Sequence, residues 1–363
     1  MGATRRPRSL IPLLAGLTAI VAGCNHTPTD DVPGATRSFR MGFSAIPPTP
    51  DQATAIASLD LWGKRADAAI MHVDVQWAAM LAGNSATVAA RANALDLSNY
   101  YRSHNLPIVL MLDVTNGLAR DREAPELVAA GRSITEPSIQ RLYRDYVVAI
   151  VDVVRPTHIG LAAETNLIRA AAPRPVYDAV VRMTNDAAAD LRARGVTAPL
   201  YVSVQVETAW GRLAGAGPGT YVGIDDDLRD SPFIGALGLS SYPYLAGFAS
   251  PEQIPADYYS RIPGTRALPV MVVEGGWTSG SVGALQSSPD MQARYIRRQA
   301  ELLAAAHATA LFQLTFTDLD IASIPQPPGS ILPLFAALGM VDTQLRPKPA
   351  LAVWDSVFAH RGE

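Results

Sequence analysis

The feature that most constrains this chain is a recurring short apolar run that ends in polar or aromatic residues. Eight such runs occur, over 39–44, 69–75, 108–114, 158–163, 200–206, 235–240, 268–273 and 310–315. Their unbroken apolar character suits strands of a parallel sheet covered on both faces. Between most of them lie stretches with apolar residues at helical spacing, over 85–104, 136–154, 177–194 and 289–306. Ser288-Pro289-Asp290 reads as an N-cap, a proline at N1 and an early acid. A last helix is expected over 348–359, and the connections 211–230 and 245–255 read as loops.

Eight strands alternating with helices predict a single (β/α)8 barrel. The competing fold is an open doubly wound sheet, which would carry a Gly-rich phosphate turn after its first strand. Here that strand is followed by Ser44-Ala45-Ile46-Pro47-Pro48. A nucleotide site is therefore not expected.

The barrel is expected to occupy residues 38–363. Before it, Arg5, Arg6 and Arg8 precede an apolar stretch over 10–22 that is short for a bilayer span. Val21-Ala22-Gly23-Cys24 closes it and resembles the lipobox of bacterial lipoprotein signals. The resemblance implies a signal peptide over 1–23, with cleavage before Cys24 and acylation of its thiol. The alternative is a simple secretory signal with an incidental cysteine, although Cys24 is the chain's only one. Residues 24–37 are polar and read as a tether. The expected location is the bacterial envelope, the outer membrane if the cell has one, with lipid as the only membrane contact.

Thirty basic against 33 acidic residues give a formal charge of -3, so no basic excess recruits nucleic acid. A single cysteine excludes Cys-rich metal sites, and the six histidines form no His-Glu-x-x-His helix. No metal or cofactor is expected, and a monomer is.

A barrel of this kind keeps its chemistry at the C-terminal ends of the strands. Strand two ends near His72, Asp74, Gln76 and Trp77, strand three at Asp113 and Asn116, and strand four at Glu164, Thr165 and Asn166. Strand five ends at Gln205 and Glu207, strand six at Tyr242-Pro243-Tyr244, strand seven at Glu274 and Trp277, and strand eight at Gln313, Thr315, Phe316 and Asp318. Carboxylates, amides and aromatics dominate, with no lysine and almost no arginine. Sugar hydroxyls both donate and accept, and sugar C–H faces lie on aromatic rings, so this mixture suits a saccharide. A phosphorylated substrate would instead call for Arg, Lys or a glycine nest.

Glu164 and Glu274 stand out because each ends an apolar strand, where an ionised group is costly unless it faces a polar cleft. Strands four and seven lie across a barrel from each other. Two glutamates about 5–5.5 Å apart can flank a glycosidic bond and act with retention. The alternative for each is a partner arginine or a helix cap.

Several short blocks resemble clan A glycoside hydrolases, in particular the arabinogalactan endo-β-1,4-galactanase group. They are Gly238-Leu239-Ser240-Ser241-Tyr242-Pro243-Tyr244, Val273-Glu274-Gly275-Gly276-Trp277, Leu338-Gly339-Met340-Val341-Asp342 and Arg346-Pro347-Lys348-Pro349-Ala350. The resemblance spans roughly residues 38–358. It implies a retaining, endo-acting hydrolase of poly- or oligosaccharides, with Glu274 as nucleophile and Glu164 as acid/base. It makes Tyr242 the phenol that hydrogen-bonds the nucleophile, and Trp277 and Phe316 sugar platforms. The clan's Asn before the acid/base is replaced by Ala163, so the sugar 2-hydroxyl would fall to Asn166, Gln205 or Glu207. Asp74, Trp77, Asp113 and Gln313 complete the expected substrate contacts; Trp77 reads equally as packing. Ala163 also supports an alternative, a glycan-binding lipoprotein that has lost catalysis.

Overall fold

Alternation along the strands sorts the apolar side chains into two cores. The computed structural model describes residues 37–213 and 217–361. Its strands are β1 (Arg40–Phe43), β2 (Ala69–Asp74), β3 (Ile108–Asp113), β4 (His158–Gly160), β5 in two stretches (Leu200–Tyr201 and Ser203–Gln205), β6 (Leu237–Ser241), β7 (Val270–Gly275) and β8 (Ala310–Gln313). All pair in parallel, in the order β2-β3-β4-β5 and β5-β6-β7-β8-β1. A parallel bridge between Ser44 and Ile70 joins β1 to β2, and the Ala68 amide donates to the Met41 carbonyl. The hydrogen bonds thus run once around the molecule, and the chain is a (β/α)8 barrel.

The inner core holds Ile70, Val109, Met111, Tyr201, Met271, Val273 and Phe312. Tyr201 fills much of it, with its hydroxyl donating to the Leu110 carbonyl at 2.9 Å. Two glycines make room for that ring. A Cβ at Gly160 would stand 2.6 Å from the Tyr201 ring, and one at Gly238 would stand 2.9 Å from it. The outer core packs the opposite strand faces against the helices.

Those helices are α1 (Gln52–Trp62), α2 (Ala86–Ser103), α3 (Pro137–Val154), α4 (Thr165–Ala171), α5 (Arg174–Ala193), α6 (Pro289–Ala305) and α7 (Pro349–Ala359). Ser288 caps α6 by accepting from the Met291 amide at 3.2 Å. Helix α1 had no clear sequence signal because it buries only Ser58 and Trp62, too little for an amphipathic stripe. After β5 and β6 come only short helical turns, among them Val206–Ala209, Asp225–Asp230 and Pro243–Ala246. Each leaves its loop free to shape the barrel mouth.

The expected signal peptide and Cys24 lie outside the described residues. The expected tether ends too late, since Arg37 is part of the barrel. Its amide donates to the His360 carbonyl at 2.7 Å, and its guanidinium pairs with Asp67 at 2.9 Å. Among the described residues, no helix is long and apolar enough to cross a membrane.

Candidate active site

Inward-facing positions that are apolar low in the barrel become polar at its C-terminal end. On β2 the face that buries Ile70 continues upward through His72 to Asp74, and on β3 the face of Val109 and Met111 continues to Asp113. On β7 strict alternation after Val273 would turn Glu274 outward. A register shift prevents this. Leu239 pairs with Val272 but Ser240 pairs with Glu274, so two residues of β7 oppose one step of β6. The bulge turns Glu274 back to the mouth. Glu164 is presented by a different device. It adopts the left-handed region, φ 50°, ψ 47°, where the chain leaves β4 and enters α4. A non-glycine residue there carries strain, which an active site commonly tolerates.

The two glutamates meet over β6. Ser240 Oγ donates to Glu164 Oε1 at 2.7 Å, while the Tyr242 hydroxyl donates to Glu274 Oε1 at 2.6 Å. The Glu164 amide donates to Ser203 Oγ at 2.9 Å, which ties the strained residue to β5. On its other side Glu164 Oε2 accepts from Arg120 Nε at 2.9 Å. Arg120 also donates through Nη1 to both oxygens of Asp113 at 2.7 Å. Burial disfavours this cation, but the charges of Asp113 and Glu164 outweigh that and hold the guanidinium above its ordinary value.

Burial pushes Glu274 up to about 7, and the charge of Glu164 adds to the effect; the Tyr242 hydrogen bond and Arg120 act the other way. That the Glu164 charge acts on Glu274 means that the two carboxyl groups share one low-dielectric environment. His72 Nε2 lies 4.0 Å from Glu274 Oε2, and burial lowers the ring to about 4, so it stays neutral near pH 7. Asp74 is at the open rim. Protein packed around its carboxyl, with the charge of Asp113 added, raises it to about 6. Among the described residues, no group of three or more His, Cys, Asp or Glu is arranged to hold a metal.

The structure therefore gathers Glu164, Glu274, Tyr242, Asp113 and Asp74 at one mouth. Others expected there lie elsewhere. Trp277 is 1% exposed, between Tyr244 and Tyr295, and donates to Ser287 Oγ. Phe316 is also 1% exposed, edge-on to Phe43. Neither ring has a face left for a sugar. Trp77 is buried as well. Gln313 donates to Gln299 Oε1 at 2.6 Å beneath the surface.

Asn166 and Gln205 are tied to each other. The Asn166 side chain donates to the Gln205 carbonyl and accepts from the Gln205 amide. Glu207 is fully buried, accepts from Gln205, Ser241 and Tyr258, and is raised by burial to about 7. Their hydrogen bonds are spent holding the β5 connection to its neighbours, not facing the mouth. In the other direction, the expectation of almost no arginine missed Arg120. It lies in an irregular loop, where spacing gives no sign of direction. Ser240 was missed as well, although strand alternation could have found it, since it continues the inward face of Gly238.

No family model matches the sequence, and no curated protein matches it. Solved structures do share the fold. An exo-β-1,4-mannosidase, Op5Man5 from Opitutaceae bacterium strain TAV5, superposes with a TM-score of 0.62 at 18% identity over 90% of this chain, which spans 60% of the mannosidase's length. The GH53 catalytic domain from Ignisphaera aggregans gives 0.62 at 13% identity, covering 90% of this chain and 98% of that one. GH5_18 from Streptomyces cattleya, solved with GlcNAc, gives 0.62 at 15% identity, covering 90% and 80%. At such identities the likeness shows the barrel, and the site must be argued from its own geometry.

Proposed function

We propose that this protein is a retaining glycoside hydrolase acting on an oligo- or polysaccharide. The observation that carries this is the pairing of Glu164 and Glu274 across β6, each held by its own hydroxyl donor. Glu274, ionised, attacks the anomeric carbon as the C–O bond to the leaving group breaks. Glu164 gives its proton to the departing oxygen. It then removes a proton from water, which attacks the glycosyl-enzyme and frees Glu274. Tyr242 keeps the attacking oxygen oriented and favours its charge. For Glu164 to act as an acid, Arg120 must release Oε2 once substrate fills the mouth. The barrel fold it shares with a mannosidase and with GH53 and GH5_18 proteins agrees with this reading. Reducing-end release from a panel of β-galactans, β-mannans and aryl glycosides tests it.

A second reading, glycan binding without catalysis, is favoured by the Arg120–Glu164 ion pair together with Ala163. Saturable binding with no product from any panel member would select it. We also propose, from the sequence of residues 1–24, that the barrel is exported and held to the envelope by lipid on Cys24. Incorporation of a labelled fatty acid, abolished by Cys24→Ala, tests that anchor.

A further inference from the structure

A cavity of about 690 Å³ opens on the same end of the barrel as the glutamate pair. That volume lies within the usual range for a small-molecule site. Four connections build its walls, the ones that follow β5, β6, β7 and β8. They contribute Arg212, then Tyr244, Leu245 and Phe248, then Leu285, then Leu334.

The cavity lies beside the candidate active site. The Tyr244 hydroxyl donates to the Leu334 carbonyl at 3.0 Å, and the next residue, Phe335, rests edge-on against Tyr242 at 4.9 Å. Tyr242 is the phenol bonded to Glu274. One wall residue thus adjoins the residue that packs on the candidate site. The lining is mainly aliphatic, with Gln286 its one amide and no carboxylate, unlike a sugar subsite, which would show several amides and carboxylates and an open ring face. At its edge the Arg212 guanidinium lies 4.3 Å over the Phe248 ring and pairs with no carboxylate among the described residues. Apolar walls with one cation at the rim complement an amphiphile.

We infer that this cavity binds the acyl or alkyl chain of an amphiphilic glycoside, so that the substrate class is a glycolipid and not a bare polysaccharide. The inference rests on the hydrolase reading for the word glycoside. The chain lies along Leu245, Leu285 and Leu334, and the sugar reaches past Tyr242 to the glutamates. Arg212 meets the polar group at the junction.

The test is binding, measured by calorimetry below micelle concentrations, with methyl and octyl β-glycosides of glucose, galactose and mannose. Octyl glycosides should bind at least about tenfold more tightly than their methyl counterparts, whatever the head group, since the longer chain buries more apolar surface. Leu285→Asp should abolish the difference, and Leu285→Trp, which fills the cavity while staying apolar, should also reduce it should the Asp variant not fold. Equal binding of methyl and octyl forms overturns the inference. So does a chain-length effect that survives both variants. Failure of the hydrolase reading has a different signature, chain-length-dependent binding with no product from any glycoside.

Discussion

Tyr242 donates its hydroxyl to Glu274 Oε1 at 2.6 Å, across the point where β7 carries an extra residue against β6. The phenol favours the charged carboxylate, while burial and Glu164 oppose it. Removing it should therefore leave Glu274 protonated to still higher pH. Tyr242→Phe should move the acid limb of the kcat/KM profile upward from about 7 and lower the plateau about 100-fold. An unmoved limb would show that the hydroxyl has no hold on the Glu274 charge.

Arg120 contacts both Asp113 and Glu164, so truncation should matter beyond lost charge. Arg120→Met leaves buried Glu164 and half-buried Asp113 without their cation, and breaking a buried pair on one side costs on the order of 3–5 kcal/mol. Arg120→Lys keeps the charge but cannot supply Nε and Nη1 in one plane. Melting curves should show Met well below wild type and Lys between them. The pH–rate profile should shift in both, because Arg120 also acts on Glu274.

Two buried carboxyl groups contribute to the pH dependence of stability. Glu274 and Glu207 are both raised to about 7 in the folded chain, chiefly by burial. The folded state thus holds protons that the unfolded chain releases near the ordinary Glu value. Their contribution is complete below about 4.5 and is lost as pH rises through about 7. Glu274→Gln cannot titrate, so its melting temperature relative to wild type should climb from pH 5 to pH 8. A constant difference across that range would contradict the raised value.

The barrel interior gives a prediction free of chemistry. Gly160→Ala places a methyl 2.6 Å from Tyr201 and 2.7 Å from Met111 Sδ. Overpacking of this kind typically costs about 1–3 kcal/mol. Chemical denaturation should show that loss, and the double variant Gly160→Ala/Tyr201→Leu should recover part of it.

Much of the architecture was legible because a parallel barrel leaves a simple trace. Runs such as 69–75 and 108–114 are apolar on both faces, since helices cover one and the barrel interior fills the other. Glu164 and Glu274 were conspicuous for the same reason, as charges ending such runs. What spacing could not show was direction. The bulge that turns Glu274 inward, the left-handed turn at Glu164 and the reach of Arg120 are all set by tertiary hydrogen bonds. Trp277 and Phe316 misled because an aromatic ring after a strand serves equally as platform or as packing, and only burial distinguishes them. Asn166, Gln205 and Glu207 misled because they bond to one another and to Ser241 and Tyr258 of neighbouring elements, which spends their polar atoms away from the mouth.

The most direct measurement is the mass of the intact protein after incubation with activated 2-deoxy-2-fluoro-glycosides of glucose, galactose and mannose, which slow release of a glycosyl-enzyme. One added glycosyl unit should appear in wild type, map to the peptide containing Glu274, and be absent in Glu274→Gln that shows the wild-type circular dichroism spectrum. An adduct on any other residue, or turnover with undiminished rate in Glu274→Gln, would contradict a Glu164–Glu274 double displacement.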